Sequence, residues 1–314
     1  MTLWLVAVLA GIGVLLVCFF MTYLYFRYMP IIMTLFEEAE VRLPSPTEFR
    51  LDGEDVDFES IDGVPLKGIF VEGKDGNHRT VLFCHEYGGS MHSLGRYAGS
   101  LLDRGFNLFA FDFRGHGASP ETNGYVPRQW VTDKEVNDIL GAIEYLKSRP
   151  DLDSSNLGLF GISRGAGAGV CAAAAFPGIK ALVLDSAFST RLTVEKYMKR
   201  WAPIYGTISL AYGQLPGWCF FLLGFVSRLT AQRRFKCTFP PVERRLGQLR
   251  ARPLYMIYGD RDKYVGMDQA RELFDRAREP KELWIVPGAR HNGSVTVVGK
   301  EYADNVASFF ERSL

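Results

Sequence analysis

The chain lacks an excess of charge of either sign. Lys and Arg number 36 against 35 for Asp and Glu, a formal net charge of +1, which gives no reason to expect nucleic acid as a partner. The five cysteines contain no C-x-x-C pair, so a zinc site of the usual spacing is excluded and no metal is expected. Cys84, Cys171 and Cys219 fall in strand, helix and apolar insert, and Cys18 in an N-terminal apolar run. They read as free thiols, most of them buried, which points to a reducing compartment for the globular part. Histidine is scarce at five residues, and no internal repeat is visible. With 314 residues, 47% apolar and 23% charged, the chain is neither disordered nor polytopic. It has room for one large α/β domain plus an accessory element.

Charge is also missing from residues 3–26, LWLVAVLAGIGVLLVCFFMTYLYF. As a helix this run crosses about 30 Å of hydrocarbon. Trp4 near one end and Tyr23, Tyr25 and Tyr28 near the other suit the two interfaces. A cleaved signal peptide would need a basic leader, a shorter apolar core and a small-residue cleavage site; Met1 and Thr2 supply no base, and no A-x-A follows. The expectation is a single-pass membrane protein, with Arg27 favouring a cytoplasmic catalytic domain. Pro30, Pro44 and Pro46 mark a linker. The organisation expected is an anchor over 1–29, a linker over 30–48 and a catalytic domain over 49–314.

Beyond the linker, strand and helix signals alternate. Residues 56–60 and 66–71 read as a hairpin around Asp62-Gly63. TVLFC at 80–84 is an apolar strand of the kind buried in a parallel sheet. A helix is expected over 94–104, ended by Gly105, and a strand over 106–111. Val136, Ile139, Leu140, Ile143 and Leu146 form one face of a helix over 134–147. Strands at 157–160, 180–184, 254–258 and 283–286, a helix at 166–175 and two later helices complete an α/β fold, a mostly parallel sheet with helices on both faces.

The strongest chemical signal is Gly161-Ile162-Ser163-Arg164-Gly165, between the strand LGLF and a helix. A G-x-S-x-G turn in that context holds its serine in a strained elbow above the sheet, where larger neighbours would clash. A serine hydroxyl needs a base, and His291 is the only histidine C-terminal to Ser163. His78 lies in the polar turn KDGNHR, His85 and His92 flank a glycine-rich loop, and His116 lies in DFRGHGAS. A carboxylate should orient the imidazole. Asp262, a few residues past the strand LYMIY, is favoured over Asp260 and over Asp185, giving the order Ser, Asp, His. Oxyanion donors are expected from the backbone N–H of Arg164 and of Tyr87, the latter in the loop His85-Glu86-Tyr87-Gly88-Gly89-Ser90.

From about residue 49 to the end, these motifs resemble the α/β-hydrolase superfamily, most of all its membrane-anchored single-domain serine hydrolases of the BEM46 and ABHD type. HEYGGS at 85–90, DFRGHGAS at 112–119, GISRGAG at 161–167, YGDRDKYV at 258–265 and ARHN at 289–292 carry the resemblance. It implies esterase, thioesterase, lipase or amidase chemistry without a cofactor, and structural roles for Arg114 and His116. Relatives usually have His-Gly where this chain has His85-Glu86. An inward Glu86 would oppose a developing negative charge; one turned outward, or paired with Arg164 or Arg114, would not.

The long insert between the strand ending at Asp185 and the one starting at Leu254 is where such folds carry a cap, here expected over 187–250. Residues 201–227 hold no charge. A second crossing is rejected, because it would separate Ser163 from Asp262 and His291, and because Pro203, Pro216, Gly206, Gly213, Gly217 and Gly224 interrupt a straight helix. A helical cap packed on the core and a lid dipping into the bilayer interface both remain open, with Arg228, Arg233, Arg234 and Lys236 facing headgroups or water. The expected activity is hydrolysis of an ester or thioester, lipid-like or acylated, through an acyl-enzyme. The rivals are a serine peptidase or amidase and a non-catalytic membrane-tethered binding protein. Dehalogenase and epoxide-hydrolase chemistry would need aspartate where Ser163 stands.

Overall fold

The computed structural model describes residues 2–37, 51–74, 79–121, 124–153, 155–205 and 216–314. His78, Pro44 and Pro46 of the expected linker, and Gly206 and Gly213 of the insert lie outside them. The chain divides into two compact units, Met1–Glu38 with Val194–Arg234, and Ala39–Thr193 with Phe235–Leu314.

The larger unit is built on an eight-stranded sheet in the order β1-β2-β4-β3-β5-β6-β7-β8. β1 (Glu54–Glu59) and β2 (Pro65–Val71) form the expected hairpin, and β2 pairs antiparallel with β4 (Asn107–Phe111). From β4 through β3 (Thr80–Cys84), β5 (Leu157–Ile162), β6 (Ile179–Asp185), β7 (Leu254–Gly259) and β8 (Lys281–Val286) every pairing is parallel. β3, β4 and β5 are buried along their whole length, which is why their sequences are continuous apolar runs and not alternating ones.

Helices cover both faces. α2 (Ser93–Ala98) and α9 (Ser294–Ser313) close over a core that includes Val81, Phe83, Phe106, Phe160, Val183 and Phe310. On the other side α3 (Asp133–Ser148) packs on α4 (Arg164–Ala175), which packs on α7 (Val242–Leu246), followed by α8 (Met267–Arg276). α3 opens with a capping box: Glu135 Oε2 accepts from the Thr132 N–H at 3.0 Å, and Thr132 Oγ1 accepts from the Lys134 N–H at 3.1 Å. The helix expected over 94–104 is α-helical only to Ala98. Gly99–Arg104 is a 3₁₀ helix closed by Gly105, whose N–H reaches Leu102 O at 3.1 Å.

The smaller unit contains α1 (Thr2–Glu37), most of α5 (Thr190–Tyr205) and α6 (Gly217–Phe235). One expected boundary is corrected here. α1 continues through Pro30 to Glu37, so the first eight positions of the expected linker are helical. The missing Pro30 N–H costs one backbone bond, and buried Met29, Ile32, Met33 and Phe36 hold the helix on either side of it. Of the insert expected over 187–250, Val194–Arg234 falls in the smaller unit and the rest in the larger one, where Val242, Leu246 and Leu249 are buried. Glu243 there accepts from Ser189 Oγ at 2.7 Å and from Arg191 Nε at 2.7 Å. Among the described residues α1 is the one helix long and apolar enough to cross a membrane.

Candidate active site

β5 ends at Ile162 and the chain turns at Ser163 with φ 51° and ψ −112°, a conformation unfavourable for any residue with a Cβ. Two close approaches impose it. A Cβ at Gly161 would stand 2.5 Å from Ala166 Cα, and one at Gly165 would stand 2.2 Å from Cys84 O. Both glycines of the motif are therefore required by backbone contact, one against the new helix and one against the end of β3. Ser163 N–H donates to Asp185 O at 2.7 Å, which pins the elbow to β6.

Ser163 Oγ lies 2.8 Å from His291 Nε2, and His291 Nδ1 lies 2.7 Å from Asp262 Oδ2. The three residues come from the ends of β5, β7 and β8, which are brought together by the parallel order of the sheet. Asp262 Oδ1 is held by the N–H of Tyr264 at 2.8 Å and of Val265 at 2.9 Å. Its carboxylate is thus fully engaged and oriented, one oxygen by backbone and the other by the imidazole. The Tyr264 ring centre stands 4.8 Å from that of His291, with the two rings tilted by 41°.

The three acids weighed from the sequence separate cleanly. Asp260 Oδ1 accepts from the Gly288 N–H at 2.6 Å and ties the two loops together. Asp185 is buried beneath the site, accepting from Tyr302 OH at 2.7 Å and from Ser186 Oγ at 2.8 Å. Burial pushes its carboxyl from 3.8 up to about 6, against those two hydrogen bonds. The folded state then holds this proton more tightly than the unfolded chain, so stability falls as pH rises from about 4 to about 6. The distance from 3.8 to about 6 corresponds to about 3 kcal/mol. Asp185→Asn has no such proton. Urea midpoints followed from pH 4 to 7 should show the wild type losing ground to Asp185→Asn over that window, with hydrolysis retained. Parallel curves would refute this reading of Asp185.

The loop after β3 carries the other expected donor. Glu86 O accepts from the Gly89 N–H at 3.1 Å, closing a turn with Tyr87 and Gly88 at its centre. Gly88 has φ 74°, which only glycine adopts without strain. β3 and β5 are neighbours, with Cys84 opposite Gly161, so this turn and the first N–H of α4, on Arg164, emerge side by side. The first N–H groups of a helix have no intrahelical acceptor.

Glu86 is neither turned outward nor paired with Arg164 or Arg114. It is buried below the turn, with Oε2 unpartnered and Ser93 Oγ 3.4 Å from Oε1. Burial raises its carboxyl pKa and favours the neutral acid. Arg114 is engaged by Asp138 and Asp62, with its Nε 2.8 Å from Asp138 Oδ1. Arg164 Nη1 donates to Arg128 O at 2.9 Å and lies 3.5 Å from Glu135.

The Arg164 side chain is the feature the sequence did not disclose. It is wholly buried, and its guanidinium lies 5.1 Å from the Tyr87 ring centre and 5.2 Å from that of Phe113. Its Nη2 is 3.2 Å from His116 Nε2. One residue therefore supplies a helix-terminal N–H next to Ser163 and clamps the side chain of the opposite loop. His85 is also structural: Nδ1 is 2.6 Å from Glu86 O, and Nε2 accepts from the Phe113 N–H at 3.2 Å. Burial first, and then the charge of Arg164, lower its pKa to about 3, so it stays neutral.

Comparison with known proteins agrees with this architecture. Residues 75–214 match the family described as serine aminopeptidase, S33. YfhR of Escherichia coli K12, an uncharacterized protein, is 27% identical over 245 residues, covering 76% of this chain and 73% of its own. The α/β-hydrolase domain-containing protein WAV2 of Arabidopsis thaliana is 29% identical over 168 residues, 52% of this chain and 51% of its own. Among solved structures, the Pyrococcus furiosus esterase Pf2001 superposes with a TM-score of 0.61 at 25% identity, over 88% of this chain and 98% of that one.

Proposed function

Because this chain belongs to the α/β-hydrolase superfamily and is a hydrolase, we propose that it cleaves esters or thioesters through an acyl-enzyme on Ser163. The unbroken run of hydrogen bonds Ser163–His291–Asp262, 2.8 and 2.7 Å long, carries this reading. Ser163 Oγ attacks the carbonyl carbon while His291 Nε2 takes its proton. Asp262 keeps the imidazole in the tautomer that accepts at Nε2 and stabilises its cation. The N–H groups of Tyr87 and Arg164 hold the oxyanion. His291 then returns the proton to the departing alkoxide or thiolate. A water, activated by the same base, releases the acid and restores the serine.

α1 is read as an uncleaved single-pass anchor, with the hydrolase domain on the cytoplasmic side that Arg27 favours. An enzyme held at a bilayer with an apolar insert suits a lipid-like or acylated substrate. The family description as an aminopeptidase keeps an amide substrate as the second reading. Purified full chain in detergent should hydrolyse p-nitrophenyl esters of rising chain length and acyl thioesters, and Ser163→Ala should not. Turnover of aminoacyl anilides exceeding that of every ester would replace the esterase reading with the peptidase one.

A further inference from the structure

α6 is built inside out for a helix in water. The residues it buries are small: Cys219, Gly224, Ser227 and Ala231, with Phe235 at the end. The residues it exposes are large and apolar: Trp218, Phe221, Leu222, Phe225 and Leu229, with Phe221 53% and Trp218 49% exposed. Their spacing follows helical periodicity, so they form one continuous outward stripe. Charge is absent from α6 until Arg228 and then gathers at its C-terminal end, where Arg233 is exposed and Lys236 follows.

The inner side of this helix is already settled within its own unit. A Cβ at Gly224 would lie 3.3 Å from Glu195 Cγ of α5, and Arg228 lies 3.6 Å from Glu195. At the far end Arg234 pairs with Glu37, the last residue of α1, at 2.7 Å. α1 in turn exposes Leu3, Trp4, Leu16, Phe19 and Phe26 on its outer part. The apolar exposure of α6 therefore belongs to the same compact unit as that of the anchor, and basic residues stand where it meets water.

We propose that the outward stripe of α6 lies in the interfacial layer of the bilayer that α1 enters, as a second, in-plane membrane contact. This rests on the reading of α1 as an anchor. A helix of this kind buries its apolar face beneath the headgroups while its basic end meets anionic lipid. With three arginines over its second half, α6 is a surface helix and not a second crossing.

The tryptophans allow a direct test, since the chain has five. Full chain is reconstituted into vesicles of phosphatidylcholine and phosphatidylglycerol with dibrominated acyl chains. The fluorescence of Trp218 is taken as wild type minus Trp218→Phe, and that of Trp4 as wild type minus Trp4→Phe. The Trp218 signal should be quenched roughly two-fold or more by bromines placed near the headgroup, and little by aqueous acrylamide. Phe221→Asp combined with Phe225→Asp should reverse that order, with far-ultraviolet circular dichroism reporting that the helices persist. Quenching of Trp4 without quenching of Trp218 would overturn the proposal and leave the anchor standing; quenching of neither would overturn both. Trp218 shielded from bromine and acrylamide alike would assign the stripe to a second copy of the chain instead.

Discussion

Ser163→Gly is expected to abolish hydrolysis and at the same time to make the protein more stable. Loss of the nucleophile in a triad that acts as a unit lowers kcat by roughly 10⁴–10⁶. Stability moves the other way because of the elbow. Ser163 is held at φ 51° and ψ −112°, a strain of about 1–3 kcal/mol for a residue with a Cβ. Glycine relieves it, at the cost of about 0.5–1 kcal/mol of extra unfolded-chain freedom, so a net gain of about 1 kcal/mol is expected. Ser163→Ala removes the hydroxyl and keeps the strain, so it should be equally inactive and no more stable than wild type. Urea unfolding of the three proteins measures the difference. A Ser163→Gly variant less stable than Ser163→Ala would show that the elbow is not strained, and turnover within ten-fold of wild type would remove Ser163 from the chemistry.

Asp262→Asn should lower kcat by roughly 10⁴ with the fold intact. The reason is local. One carboxylate oxygen accepts from the N–H of Tyr264 and Val265, at 2.8 and 2.9 Å, and the other faces His291 Nδ1 at 2.7 Å. An asparagine that keeps its oxygen on the two N–H groups must turn its own NH₂ toward His291. The imidazole then accepts at Nδ1 and carries its proton on Nε2, where it cannot take one from Ser163. The same change at Asp185 leaves the His291 contact untouched and should retain most of the activity. If Asp185→Asn were the damaging variant, the acid of the triad would have been misassigned.

Much of this was legible in the sequence, and where legibility ended has a physical pattern. The strand over 80–84 was readable to the residue because a strand buried on both faces is an uninterrupted apolar run with polar punctuation. The order of Ser163, Asp262 and His291 could be read because each sits just beyond such a run. Choosing Asp262 over Asp260 from spacing alone left an ambiguity; in the structure it is Asp262 that faces His291, while Asp260 is held by the Gly288 N–H. The roles of Arg164 and Asp138 were illegible, since each depends on partners far along the chain. Arg164 reaches Arg128 and His116, and Asp138 reaches Arg114. Glu86 was noticed as an oddity, but its burial beneath its own turn comes from tertiary packing that no local pattern encodes. Pro30 misled for the opposite reason: a local breaker was overridden by burial on both sides.

The central claim is that Ser163 is a nucleophile activated by His291. Fluorophosphonate labelling of the purified full chain, with the adduct located by peptide mass spectrometry, tests it without knowledge of the substrate. The account predicts a single adduct on Ser163 in the wild type and its loss in His291→Ala. A folded wild type that takes no label, or takes it on another residue, would contradict it.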